Sequence, residues 1–203
     1  MIIHSHQMVA QELKVAIISV GETNPKDLAI VNKAISTMYN SQVKNLGAVD
    51  IEDSMKASYV SRNYQGNPRP EVLKAVDILK MLSNSNEHDK NYDIYIGITN
   101  QALITQDKVV QLKNQVIRGL GGSPQKAAVI STYKINLETS NDQDFQKVLS
   151  KVVNHEMGHV LGLGHCEDSK QCLMVNAVNF HNSIPVFCSF CMDKIDDKYL
   201  KSN

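Results

Sequence analysis

From residue 13 to residue 20 apolar and β-branched side chains crowd into one run that stops at Gly21, and the hydrophobic period then changes. Leu28, Val31, Ile35 and Met38 recur at three-and-four spacing, so the pattern predicts a strand followed by a helix over 25–39. A second strand is expected over 43–51. The Gly-Asn-Pro-Arg-Pro stretch at 66–70 reads as a loop that starts a helix over 71–82. Residues 92–99 set Ile94, Ile96 and Ile98 against smaller or polar partners, the alternation of a strand. Residues 100–126 carry no clear period, with room for a short strand near Val109 or Val116. The glycines at 119, 121 and 122 read as a loop entering a strand, because no Gly-Lys-Ser/Thr or complete Gly-x-Gly-x-x-Gly follows. Residues 127–135 form another strand through Val129, Ile130 and Thr132. Finally Phe145, Val148, Leu149, Val152, Val153, Val160 and Leu161 make one apolar stripe on a long helix. Ser140 or Asn141 caps it, with Asp142 and Asp144 in its first turn.

Strands interleaved with helices predict an α/β (α+β) fold, a mixed twisted sheet backed by helices. A length of 203 residues at 42% hydrophobic content suffices for one sizeable core, so a single domain over 1–203 is the economical count. It divides into a sheet-and-helix part, 1–165, and a C-terminal part, 166–203. Lys plus Arg and Asp plus Glu both number 21, so no global field draws the chain to nucleic acid or an anionic membrane. No apolar run reaches the roughly 18–20 residues of a spanning helix. The first eleven residues lack the apolar core of a secretion signal, which points to the cytoplasm, and a monomer is expected.

Residues 155–165 change the picture: they read His-Glu-Met-Gly-His-Val-Leu-Gly-Leu-Gly-His. Histidines four apart on a helix share one face and reach one ion from adjacent turns, so His155 and His159 form a metal-binding pair with Glu156 beside it. His165 lies too far along a straight helix to join them. Gly162, tolerant of left-handed backbone, with Gly164 after it, supplies the turn that returns His165 to the ion. Catalytic zinc typically takes three protein ligands and keeps a fourth position for water, whose pKa it lowers to about 7. Glu156 is then the natural general base for attack on a scissile carbonyl.

The run 155–165 resembles the metzincin signature, and the residues downstream of it narrow the likeness. Cys166 directly follows His165; Cys172, Leu173 and Met174 come next; Cys188-Ser-Phe-Cys191 closes the set. This is similar to the archaemetzincin family of zinc metallopeptidases. The resemblance implies two Zn²⁺: a catalytic one on His155, His159 and His165, and a structural one on Cys166, Cys172, Cys188 and Cys191. It also implies Met174 as the Met-turn floor, and a small zinc-stabilised C-terminal subdomain. A peptide or protein substrate would add itself to an edge strand, expected within 109–126. Five residues separate Cys166 from Cys172 where the family pattern has four, and 174–188 is shorter than in the family, both in loops.

Alternatives stand beside these readings. The four cysteines, all that the chain has, could form two disulfides or pack as small apolar groups, although a Cys-x-x-Cys with a second pair favours zinc. Met174 by itself would be a core gap-filler. His181 is a substitute ligand for the second site. His4 and His6 read as a terminal remnant and His88 as surface. In function, the rivals to a peptidase are a zinc-stabilised peptide- or protein-binding module with little turnover and a hydrolase of non-peptide amides.

Overall fold

The computed structural model describes residues 12–59, 70–88, 91–176 and 180–201. In chain order the regular elements are β1 (Leu13–Val20), α1 (Pro25–Met38), β2 (Ser41–Val49), β3 (Ser58–Tyr59), β4 (Val72–Lys74), α2 (Ala75–His88), β5 (Ile94–Thr99) and β6 (Ala102–Ile104). There follow β7 (Lys108–Val109), α3 (Leu112–Gln115), β8 (Gly119–Gly122), β9 (Ala127–Ser131), α4 (Thr132–Glu138), α5 (Asp142–Val160) and α6 (Ser189–Met192). The main sheet runs β2-β1-β5-β9-β8; its first four strands are parallel and β8 closes one edge antiparallel to β9. β3 pairs with β7 and β4 with β6, both parallel.

Strand alternation decides which helix lies on which face, since successive side chains point to opposite sides. Val15 and Ile17 of β1, Ile94, Ile96 and Ile98 of β5, and Ala128 and Ile130 of β9 meet Val31 and Ile35 of α1 and Val152, Val153 and Met157 of α5. The intervening Ala16, Ile18, Val20, Tyr95 and Val129 meet Ile78, Leu79 and Leu82 of α2. The mixed sheet is thus backed by helices on both faces. Among the described residues no helix is long and apolar enough to cross a membrane.

Local chemistry fixes the ends of the two helices that matter most. Asn24 caps α1 by accepting from the Lys26 N–H at 2.9 Å, with Pro25 pre-set at the first helical position. Asn141 caps α5 by accepting from the Asp144 N–H at 2.9 Å, and Asp142 and Asp144 sit in the positive first turn. Tyr39, wholly buried at the end of α1, donates its hydroxyl to the Asn154 carbonyl of α5 at 3.0 Å. The chain's end returns to the same corner: Asn40 N–H donates to Tyr199 O at 3.0 Å and Lys201 N–H to Met38 O at 3.1 Å.

Several elements differ from the sequence expectation. The helix expected over 71–82 spans Ala75–His88 instead, starting late because Val72 and Leu73 are buried as strand β4 against β6. The strand expected over 127–135 stops at Ser131, whose side chain accepts from the Tyr133 N–H and starts α4. The second strand spans Ser41–Val49 rather than 43–51. The glycines at 119, 121 and 122 are themselves the edge strand, not a loop before it. Glycine is needed there: a Cβ on Gly119 would stand 2.8 Å from the Glu156 side chain, and one on Gly121 would strike the Glu156 carbonyl oxygen. Residues 66–69 and 1–11, with His4 and His6, lie outside the described residues, as do the side chains of His88 and His181.

Two outcomes are expected. Tyr39→Phe removes one buried hydrogen bond and costs about 1 kcal/mol in urea unfolding; no loss would mean that the α1–α5 contact is apolar only. Gly121→Ala forces β8 off α5 and costs about 1–3 kcal/mol. Gly164→Ala, where a Cβ meets nothing within 4 Å, leaves the midpoint unchanged and serves as its control.

Candidate metal centres

α5 ends by a mechanism that its sequence spells out. The Gly162 N–H donates to His159 O at 3.0 Å and the Leu163 N–H to Gly158 O at 2.9 Å, with Gly162 at φ +94°. This paired pattern is the Schellman termination, which needs a left-handed residue and therefore glycine. The chain reverses there and brings His165 back to the helix face carrying His155 and His159. One ligand-type atom from each of the three lies within 4.8 Å of the others. His155 is buried, His159 half-buried and His165 exposed, so this cluster opens to solvent on the His165 side.

Backbone carbonyls settle which nitrogens are available. His155 Nδ1 lies 2.9 Å from Leu173 O and His159 Nδ1 lies 2.8 Å from Leu163 O. A carbonyl can only accept, so both Nδ1 atoms donate and both Nε2 atoms present lone pairs. Those Nε2 atoms are 3.1 Å apart. Two unprotonated nitrogens repel at that distance unless a cation lies between them. Nitrogens on one tetrahedral zinc, each at roughly 2.0–2.1 Å, are about 3.3 Å apart, so the spacing fits. Burial pushes His155 down to about 4, partly opposed by the Leu173 carbonyl, which keeps the imidazole neutral as a ligand must be.

Glu156 lies against the edge strand, with the Gly121 N–H bonded to its carboxylate. Burial raises its pKa to about 8, and the Gly121 hydrogen bond works in the opposite direction. Glu156 is itself buried, and the close approach of Gly119 and Gly121 leaves its carboxyl little room to move.

A second cluster sits directly below. Cys166, Cys172, Cys188 and Cys191 are all free thiols, with their sulfurs within 4.8 Å of one another. Cys166 and Cys188 Sγ are 3.6 Å apart and Cys172 and Cys191 Sγ 3.7 Å, far beyond a disulfide bond. Sulfurs on a tetrahedral zinc, at roughly 2.3 Å each, are about 3.8 Å apart. The N–H groups of Met174 and Cys188 both point at Cys172 Sγ, at 3.4 and 3.3 Å, as donors do toward a thiolate. Burial and the neighbouring thiols push the Cys191 pKa up, so this sulfur resists ionisation unless a cation joins it. The donor set suits a soft divalent ion.

Met174 touches the cysteine loop and the motif helix. Its carbonyl accepts from the Cys166 N–H at 2.7 Å, and its sulfur fills the space where a side chain on Gly158 of α5 would stand. The structure also brings in residues that the sequence pattern did not single out. Phe180 packs edge-on against His155, at 5.7 Å between centroids and 85°. Arg118, paired with Glu138, and Lys151 place their cations 5.1 and 4.8 Å from the Phe180 ring centre. Burial, then Arg118, holds the Lys151 ammonium below its ordinary pKa. Lys151 had one sequence signal, its place four residues before His155, but a helical lysine reads as exposed.

Known proteins resemble this chain in sequence and in fold. An archaemetzincin of Pyrococcus horikoshii is 35% identical over 98 residues, which is 43% of this chain and 50% of that protein. The aligned stretch is therefore half of that relative's length. An archaemetzincin of Saccharolobus solfataricus is 30% identical over 177 residues, 78% of this chain and 87% of that one. The crystal structure of the Archaeoglobus fulgidus archaemetzincin shares the fold, with a TM-score of 0.66 at 22% identity, covering 90% of this chain and 100% of that one. The model of peptidase family M54 matches residues 6–197, nearly the whole chain, and the chain belongs to that family.

Proposed function

We propose that this chain is a zinc-dependent metallopeptidase that hydrolyses peptide bonds in a peptide or protein substrate. His155, His159 and His165 hold a catalytic zinc, and Cys166, Cys172, Cys188 and Cys191 hold a structural one. The observation that carries this reading is the pair of Nε2 atoms 3.1 Å apart, both Nδ1 atoms being committed to carbonyls. Zinc held there supplies Lewis acidity to water and to the scissile carbonyl.

Glu156 acts as general base, taking a proton from the attacking water and returning it to the leaving amine. Burial by itself would leave this carboxyl largely protonated at neutral pH, given a value of about 8. A dication within a few ångströms favours the ionised form and works against that shift. Metal at the histidine site would therefore favour the form of Glu156 that can act as a base. β8 offers its outer edge to an extended substrate, since β9 is its one partner in the sheet order. Glu156 also speaks against a binding module without turnover, because zinc and three histidines support folding without it.

Glu156→Gln should lower kcat/KM about 10²–10⁴-fold while the protein keeps all of its zinc; metal loss in that variant would contradict the role. Elemental analysis of wild type, His159→Ala and Cys191→Ser separates the two centres. Two zincs are expected in wild type and a different one missing from each variant. Cys191→Ser should also melt lower, as zinc on a structural site contributes on the order of 10 kcal/mol to folding in small domains. Two zincs and an unchanged melting point in Cys191→Ser would sink the four-sulfur site.

A further inference from the structure

Lys151 stands one helical turn before His155 and is only 9% exposed. Leucine or methionine would bury there without desolvating a charge, so an ammonium at this place carries a cost that its contacts have to offset. Its contacts are specific. Nζ donates to Phe180 O at 2.7 Å and to Ser183 O at 2.8 Å. Ser183 closes the same turn by donating its hydroxyl to Phe180 O at 2.8 Å. The ammonium also lies 4.8 Å from the Phe180 ring centre, and the Arg118 guanidinium, forked onto Glu138 at 2.7 and 3.0 Å, lies 5.1 Å from it. The ring so held is 4% exposed and meets His155 edge-on.

The Leu173 carbonyl fixes the direction of the His155 Nδ1 hydrogen bond but leaves the ring free to rock about it, because the second torsion of histidine is soft. Removing that freedom takes further contacts on the ring; His159 and His165 meet it at 4.7 and 5.4 Å between centroids, and Phe180 is the one contact among these three that is not itself a candidate ligand. We propose that Lys151 is a positioning residue for the histidine metal site: it ties down the 180–183 turn, seats Phe180 against His155, and so sets the imidazole for the ion. The proposal rests on the reading of His155 as a zinc ligand. It adds a residue that touches neither metal nor substrate.

The test compares Lys151→Met, Lys151→Arg and Phe180→Leu in the full-length protein. Zinc affinity at the histidine site is measured by competition with a chromophoric chelator, alongside zinc count, melting temperature and kcat and KM on a peptide. Lys151→Met is expected to keep the cysteine-bound zinc and to bind the histidine-site zinc about 10–100-fold more weakly, the usual effect of losing an outer-shell partner. Its kcat at saturating zinc should fall with KM unchanged. Phe180→Leu should reproduce the loss, and Lys151→Arg, which can still donate to both carbonyls, should recover most of it. Histidine-site affinity within twofold of wild type in Lys151→Met overturns the proposal. Should Lys151→Met unfold, Phe180→Leu decides, because it leaves both main-chain acceptors of the lysine in place; unchanged affinity there overturns the proposal too. A wild type that binds two zincs and cleaves no peptide would remove the peptidase reading and leave the affinity comparison decisive.

Discussion

The hydrogen bond between the Leu173 carbonyl and His155 Nδ1 is short, buried and shared between two centres. On one side it fixes the tautomer that leaves Nε2 free. On the other it belongs to a three-residue segment whose neighbours are occupied with sulfur: the Met174 N–H faces Cys172 Sγ, and the Met174 carbonyl holds the Cys166 N–H. The segment can keep its carbonyl aimed at His155 only while the cysteine loop keeps its shape. The cysteine cluster is thus more than a staple for a short C-terminal part, because it bears on the orientation of His155 in the histidine cluster. Met174, with its sulfur against Gly158, adds a packing constraint to the same end.

The second half of the helix carrying the motif is packed from several directions. α1 and Tyr39 press it from one direction, the sheet from another, and the glycine edge strand reaches its carbonyls directly. This burial makes Glu156 reluctant to ionise and His155 reluctant to take a proton. Both tendencies suit a neutral-ligand site that becomes chemically competent when a cation arrives. The competition is between desolvation, which the fold imposes, and Coulomb attraction, which only an ion can supply.

How much of this the chain's pattern announces depends on whether the signal is local. His155 and His159 are legible because helical period alone puts them together, and His165 because Gly162 offers the one backbone conformation that returns it. The cysteines are legible by spacing, and long, evenly patterned elements such as β1 and α5 are found with their boundaries nearly intact. What escapes is set by distant partners. Val72 and Leu73 fit a helical stripe and a strand equally well, and β6 decides between them. Gly119 and Gly121 carry no strand propensity; their meaning lies in how near α5 comes. Lys151 looks like solvent-facing charge until residues 180–183 are laid across it.

His165 and Cys166 are consecutive residues whose side chains turn to different clusters. One peptide unit therefore spans both, and no residue can be inserted between them without displacing a member of one cluster or the other. An ion held at either place shortens the loop that the other must close, and lowers the entropy lost on closing it. Were both clusters to bind metal as proposed, that coupling would be reciprocal, each ion raising the affinity for the other by the same factor. On the proposed two-zinc reading, the single covalent link makes each ion a help to the other, while either cluster can still lose its own ion alone.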